Sequence, residues 1–289
     1  MKTIVIGADG QLGTDLVKLQ PSAVPLTIKD LDITSFDRCR SVLARLAPEV
    51  VINTAGFNQV DACEDSPEPA FQINAFGARN LAAACRELGA ELVHISTDYV
   101  FSGEKRVPHL EEDVPDPATA YGISKLAGEQ LVRYLWPKHY LIRTCGLYGA
   151  AGCLGKGGTN FIETMIKRAD SGQPLKVVSD EIVGPTYTRD LAAKLLQIIE
   201  KKSYGLYHIT NAGQCSWYEF TLKIFEHLGR QVKVTPVSGA EFAAKARRPK
   251  FSVLAHGHLR RLGLDDLRSW EAALFAYLTE KGYLVRGAK

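Results

Sequence analysis

The chain begins Lys2-Thr3-Ile4-Val5-Ile6-Gly7-Ala8-Asp9-Gly10-Gln11-Leu12-Gly13, and the rest of the sequence reads outward from it. Lys2 to Ile6 is a short apolar, β-branched run, the pattern of a strand buried in a parallel sheet. It passes directly into three glycines, Gly7, Gly10 and Gly13, and then into a helical pattern with Leu12, Leu16 and Leu19 on one side. A strand, a glycine turn and a helix N-terminus together bind phosphate. The glycines permit a tight turn and close backbone approach, and the free N–H groups and dipole of the helix meet a pyrophosphate. The spacing is G-x-x-G-x-x-G rather than G-x-G-x-x-G, and a glycine triplet by itself also fits an ordinary turn. Its place after a strand and before a helix points to a dinucleotide.

The same alternation continues. Strands are predicted near 2–6, 24–28, 50–53, 91–96 and 139–143, with helices near 12–19, 35–46, 67–88 and 120–136. That order makes a parallel sheet covered by helices. The fold class is therefore α/β: a Rossmann-like, doubly wound parallel sheet over 1–145, then a smaller C-terminal α/β substrate-binding lobe over 146–289. The stretch 173–202 is expected to return to the Rossmann domain. Later helices are predicted near 160–171, 188–202, 216–228 and 267–281, and strands near 175–178 and 207–209. Gly149 to Gly158 carries five glycines in ten residues and reads as a mobile loop, a candidate substrate lid. Asn74, polar among core-facing Phe71, Ala75 and Ala78, reads equally as a structural amide and as a catalytic one.

Two further stretches carry chemistry. Glu91-Leu92-Val93-His94-Ile95-Ser96 reads as a buried strand, and in open α/β sheets the ligand lies beyond the carboxyl ends of the strands. That puts the Thr97 hydroxyl where it can bond a reacting carbonyl; a strand-end threonine capping a turn is the plainer reading. Tyr121 and Lys125, in Tyr121-Gly122-Ile123-Ser124-Lys125, share one helix face. A free phenol ionises near pH ~10, and a neighbouring ammonium draws that value down. A tyrosine tuned in this way can pass a proton to a carbonyl oxygen as hydride reaches its carbon. Alone, the pair also fits a solvated helix face. The glycine turn upstream favours catalysis.

Composition narrows the class. With 289 residues, 46% hydrophobic and 23% charged, the chain can bury a large globular core. A net charge of +3 gives no electrostatic ground for nucleic acid or an anionic membrane as partner. No stretch approaches the ~20 apolar residues of a membrane span. Cys39, Cys63, Cys85, Cys145, Cys153 and Cys215 lack C-x-x-C spacing, and several sit in apolar runs. Buried free thiols in a reducing compartment are expected, rather than disulfides or zinc sites. The first strand starts at residue 2 with no leader pattern before it, so a cytoplasmic location is expected.

The glycine triplet, Ser96-Thr97-Asp98-Tyr99-Val100-Phe101 and Tyr121-Gly122-Ile123-Ser124-Lys125-Leu126-Ala127-Gly128-Glu129 resemble the extended short-chain dehydrogenase/reductase superfamily, and within it the dTDP-4-dehydrorhamnose reductase family. Supporting matches are Val51-Ile52-Asn53-Thr54-Ala55-Gly56, Val60-Asp61-Ala62-Cys63-Glu64, Gly184-Pro185-Thr186 and Arg248-Pro249-Lys250-Phe251-Ser252. The resemblance implies an oxidoreductase of polysaccharide biosynthesis, in which NADPH, or NADH, delivers hydride to C4 of a nucleotide-linked 4-keto-6-deoxysugar. Thr97, Tyr121 and Lys125 then inherit the catalytic roles. Gly10, Gln11 and Leu12 would hold the pyrophosphate, with Gly7 and Gly13 shaping the turn. Asp32 and Ile33 would flank the adenine, and Gly56, Phe57 and Asn58 would lie along the cofactor, which Tyr121 and Lys125 also touch. Asp98 would hydrogen-bond the sugar. A homodimer is compatible with the resemblance.

One departure stands out. Relatives commonly carry Trp in the segment matching Thr144-Cys145-Gly146-Leu147-Tyr148, where the indole packs on the substrate. Here that place is Gly146, which predicts a wider sugar pocket. Some relatives also bind a divalent metal; no clear carboxylate cluster is evident in this sequence, and no metal is predicted.

Other functions share these motifs. A dehydratase of the superfamily commonly has Glu directly after the Asp, where this chain has Tyr99. An epimerase keeps its NAD bound and returns the hydride, which sequence barely reveals. A non-catalytic NADP-binding regulatory subunit would keep the fold, and the complete set of Thr97, Tyr121 and Lys125 argues against it. Lys156, Arg247 and Arg248 are candidate clamps for a sugar diphosphate, and each reads equally as a solvated cation. Lys29 follows the second strand, where NAD enzymes often place an acid for the ribose 2′-OH. It can offset a 2′-phosphate, although Asp30 beside it blurs the signal. His256 and His258 lack a third ligand at suitable spacing and read as loop residues.

Overall fold

The computed structural model describes residues 1–242 and 244–284, apart from the side chain of Lys156. Six parallel strands form the central sheet, in the spatial order Gly205–His208, His139–Thr144, Glu91–Thr97, Val50–Asn53, Thr3–Ile6, Val24–Leu26. The chain steps from Thr3–Ile6 to one side, then crosses back past it to Val50–Asn53. The order therefore reverses between these two strands, and a ligand crevice opens beyond the carboxyl ends at such a switch. Gly7 follows one of the two strands and Thr54 the other.

Successive side chains of each strand go to opposite faces. Ile4, Ile6, Val51, Leu92 and Leu141 share one core with helices Phe36–Leu46 and Ala78–Leu88. Val5, Ile52, Val93, Tyr140 and Ile142 share the other with Leu12 and Leu16 of Gln11–Leu19 and with helix Thr188–Lys201. Because both faces are covered, the strands read as unbroken apolar runs instead of alternations. All six cysteines are buried free thiols. Among the described residues, no helix is long and apolar enough to cross a membrane.

The lobe is assembled from two-stranded pieces. Leu175–Val178 pairs with Val234–Val237, Ile182–Val183 with Cys215–Ser216, and Leu147–Tyr148 with Thr186–Tyr187. Helices Phe161–Asp170, Trp217–His227 and Trp270–Glu280 share an aromatic core with Tyr148 and Tyr187.

Two placements differ from the sequence reading. Within 173–202, Thr188–Lys201 rejoins the Rossmann half by packing on Gln11–Leu19, whereas Leu175–Val178 stays in the lobe because its partner strand is Val234–Val237. Conversely, Gly205–His208 leaves the lobe to become the sheet's edge beside His139–Thr144. The helix Thr188–Lys201 is the crossover that carries the chain there. The helix predicted over 67–88 is continuous but contains a π-helical segment, Phe71–Gly77, between α-helical Pro67–Ala70 and Ala78–Leu88.

Candidate active site

The glycine turn is closed by backbone contact. A Cβ on Gly13 would lie 2.2 Å from the Gly7 carbonyl oxygen, and one on Gly7, at φ +76°, would lie 2.8 Å from Thr54 Oγ1. Only glycine lets the turn fold back on its own helix. The turn borders a groove of 470 Å³ lined by Gly7, Gly10, Gln11 and Leu12, by Asp32 and Ile33, and by Gly56 and Asn58. Ile28, Leu31 and Ile73 add apolar walls. Backbone N–H groups at a helix start beside an apolar slot fit a dinucleotide. Gly13 does not line the groove; it packs against the turn. Phe57, Tyr121 and Lys125 line the adjoining cavity instead.

At the groove's far end the Asp30 carboxylate is committed. It accepts bonds from Thr27 N at 2.9 Å and Thr27 Oγ1 at 2.8 Å, which closes the turn after Val24–Leu26. The acid that blurred the sequence signal thus faces its own turn, and Lys29 is exposed beside Ile28.

The adjoining cavity, of 320 Å³, shares Gln11, Thr54, Ala55, Gly56 and Asn58 with the groove. Thr97, Asp98, Tyr121, Lys125, Gly146 and Arg248 all line it, so the fold gathers every expected catalytic and substrate residue into one space. Thr97 ends its strand and donates to Asp98 Oδ1 at 2.9 Å, while its oxygen accepts from Tyr99 N at 3.2 Å. Cys145 Sγ donates to the other Asp98 oxygen at 3.0 Å. Asp98 is buried, and burial raises its pKa despite these bonds. It is therefore an anchor for Thr97 and not a solvent-facing turn acid.

The helix Ala120–Leu135 brings in Tyr121 and Lys125. Thr119 caps it, accepting from Gly122 N at 3.0 Å, and Glu64 accepts from Ala120 N at 2.8 Å. A Cβ on Gly128 would lie 2.2 Å from the Asn74 carbonyl, so the helix lies backbone to backbone on the π-helical segment. The Asn74 amide accepts from Phe57 N and donates to Phe57 O and Ser124 Oγ, which makes it a structural tie between the cofactor-side loop and the catalytic helix. One turn beyond Lys125, the buried Glu129 receives a two-pronged bond from Arg143 at 2.9 and 2.7 Å and a bond from Ser96 Oγ at 2.5 Å. Ser96 precedes Thr97, so this pair fixes the helix against the strands that carry the site. Sequence reading missed it, although an Arg directly after Leu141-Ile142 was a visible signal.

The electrostatics correct one expectation. Burial raises the Tyr121 phenol above its ordinary value, and only a bond with Thr97 pulls the other way. The Lys125 ammonium is not what sets it: Nζ donates to the Ile95 carbonyl at 2.5 Å. Burial lowers Lys125 itself to about 8, against the opposing pull of Glu129. Tyr121 is thus held in its protonated form.

The glycine-rich loop is shaped by turns. Gly152, Gly157 and Gly158 adopt positive φ, so these glycines make turns. The loop is tied to the cofactor side by Gly149 N donating to Gln11 Oε1 at 3.0 Å and Asn58 Nδ2 donating to Cys153 Sγ at 3.3 Å. Cys153 borders both spaces.

Gly146 lines the cavity with close neighbours. Gly146 has φ +55°, and a Cβ there would lie 3.2 Å from Pro185 Cα and 3.5 Å from Trp217 Cη2. Trp217 and Phe161 line the cavity, and neither was singled out from sequence. The cavity beside Gly146 is thus bordered by an indole from another element.

The basic residues sort differently. Arg248 donates to Tyr99 Oη at 3.1 Å and Asp61 Oδ2 at 2.7 Å. It also borders a second cavity of 230 Å³ that contains Arg247, Lys250 and Glu181. Arg247 pairs with Glu104 on the surface. The side chain of Lys156 lies outside the described residues. His256 bonds Thr210 and Asp265. His258 joins Glu111 and Glu112 in a group of potential metal ligands that the sequence search did not find. Its carboxylates are already engaged, Glu111 by backbone N–H groups and Glu112 by Arg261.

The RmlD substrate binding domain family matches residues 1–282. The chain belongs to that family. Members with solved structures superpose closely. A dTDP-4-dehydrorhamnose reductase from Clostridium acetobutylicum is 43% identical with a TM-score of 0.93, covering 97% of this chain and 99% of that one. The Bacillus anthracis dTDP-4-dehydrorhamnose reductase, solved in complex with NADP, is 41% identical with a TM-score of 0.93, covering 97% and 100%. The spore coat polysaccharide biosynthesis protein SpsK of Bacillus subtilis is 40% identical over 284 residues, 97% of this chain and 98% of that protein. The family's Rossmann frame is the one described above.

Proposed function

We propose that this protein is an NAD(P)H-dependent oxidoreductase that reduces the 4-keto group of a nucleotide-linked 6-deoxysugar, with dTDP-4-dehydrorhamnose as the reference substrate. The observation that carries this reading is the continuity of a dinucleotide groove with a cavity holding Thr97, Tyr121 and Lys125. NADPH, or NADH, supplies the hydride when bound in the groove.

The chain's own residues handle the proton. Tyr121, held protonated by burial, donates its phenolic proton to the carbonyl oxygen as negative charge builds there. Thr97, fixed by Asp98, orients the same oxygen. Lys125 is mostly an ammonium at neutral pH even with its lowered value of about 8, and it places positive charge near the phenolate that proton transfer leaves behind. Arg248, where the two cavities meet, is suited to the substrate diphosphate. The lobe then serves as the substrate side of the cleft.

The test is NADPH consumption, followed by its near-ultraviolet absorbance, with dTDP-4-dehydrorhamnose and related 4-ketosugar nucleotides. Turnover with a member of this panel is the expected result. Cofactor binding with no turnover on any of them would contradict the reading.

A further inference from the structure

We propose that Trp217 is the residue that selects the sugar, presenting its indole as the apolar platform on which the pyranose ring of the substrate packs. This rests on the function proposed above and adds to it a residue outside the motifs that carry that function.

Three observations converge on Trp217. Its Cη2 lies 3.5 Å from where a Gly146 Cβ would be, so the ring edge borders the place where a side chain at 146 would begin. The positive φ of Gly146 disfavours any side chain there, and the flat wall at this point must come from another element. The indole also borders the same cavity as Thr97, Asp98 and Tyr121. Finally, it is held in place. Trp217 is the first residue of helix Trp217–His227, whose start is fixed by a reciprocal cap: Ser216 Oγ accepts from Glu219 N at 3.1 Å, and Glu219 Oε2 accepts from Ser216 N at 2.7 Å. Phe161, also at a helix start, backs the indole with ring centroids 4.7 Å apart.

The chemistry fits a deoxysugar. A pyranose presents C–H groups on its faces, and a 6-deoxy sugar adds a methyl group. A rigid aromatic surface in a pocket binds such groups with little loss of side-chain freedom. Hydroxyls and the diphosphate are left to polar groups such as Arg248. Trp217 should therefore discriminate by the sugar and be indifferent to the nucleotide.

The experiment compares dTDP with dTDP-rhamnose, the reduced counterpart of the reference substrate, binding to NADPH-loaded wild-type, Trp217→Leu and Trp217→Phe proteins by calorimetry. Leu keeps apolar bulk without a flat face; Phe keeps a smaller flat face and serves if the Leu variant does not fold. The expected result is a loss of about ten-fold in dTDP-rhamnose affinity for Leu and about three-fold for Phe. Affinities for dTDP and NADPH should stay within about two-fold of wild type. Equal weakening of dTDP and dTDP-rhamnose, or no weakening of either, would overturn the assignment while leaving the proposed activity standing. Wild-type protein that binds neither dTDP nor dTDP-rhamnose would remove both.

Discussion

The Rossmann half and the C-terminal lobe reach order by different means. In the first, six parallel strands are buried on both faces, and the polar groups that hold the site are themselves buried: Asp98 on Thr97, Asn74 on Ser124, Glu129 on Arg143. In the second, two-stranded pieces and an aromatic cluster do the work, and its ion pairs are more exposed, as with Arg230 and Asp170. The half proposed to carry the reacting groups is over-determined, whereas the half proposed to choose the substrate is held by side-chain packing. Chemistry should therefore be intolerant of change in the sheet, and specificity adjustable in the lobe.

The sharpest break should come at the proton donor. Tyr121→Phe is expected to lower turnover by about 10²–10⁴-fold, the usual range for a lost general acid, with NADPH affinity unchanged by fluorescence titration. A variant with near-normal turnover on its true substrate would remove Tyr121 from the mechanism.

Next comes the contrast between the halves. Arg143→Met leaves Glu129 buried without its charge partner and should cost roughly 3–5 kcal/mol in denaturant unfolding. Arg230→Met, which breaks an exposed pair with Asp170 inside the lobe, should cost about 1 kcal/mol or less. Similar losses for the two would mean that the sheet is no more over-determined than the lobe.

Gly146→Trp tests whether the pocket is already filled. Its backbone is left-handed and Trp217 occupies the neighbouring space, so overpacking should destabilise the protein by about 1–3 kcal/mol. A variant of wild-type stability with tighter binding of dTDP-4-dehydrorhamnose would show instead that the pocket has room for a second indole.

The smallest effect concerns pH. Lys125 is lowered to about 8 by burial and is proposed to act in its charged form. Activity should therefore be retained below that value and decline as pH rises through it, by about ten-fold per unit well above. Lys125→Arg, which stays protonated, should remove this limb from the pH profile even if overall turnover is reduced. An unchanged alkaline limb would assign it to another group.

Much of the sheet was legible because parallel strands covered on both faces need continuous apolar runs, and Thr3–Ile6, Val50–Asn53 and Glu91–Thr97 are such runs. The glycine turn was legible because its geometry excludes a Cβ at Gly7 and Gly13. The shared cavity of Thr97, Tyr121 and Lys125 was legible because strand-end and helix-face positions are set locally. The rest depends on contacts between distant segments. Short lobe strands such as Ile182–Val183 have no periodicity of their own, and Leu175–Val178 became a lobe strand only through its pairing with residues almost sixty positions away. Trp217 meets Gly146 across 71 residues, which no local pattern encodes. The raised Tyr121 pKa comes from burial, a property of the assembled cavity that the spacing of Tyr121 and Lys125 does not reveal.

The central claim is net transfer of hydride from a nicotinamide to C4 of a sugar whose oxygen takes its proton from Tyr121. It is tested most directly by incubating the protein with dTDP-4-dehydrorhamnose and NADPH deuterated at the nicotinamide C4 position, then examining the product by NMR and mass spectrometry. Deuterium should appear at C4 of the sugar in step with oxidised cofactor, and both should slow together in Tyr121→Phe. Sugar converted without consumption of cofactor, or product carrying no deuterium at C4, would contradict it.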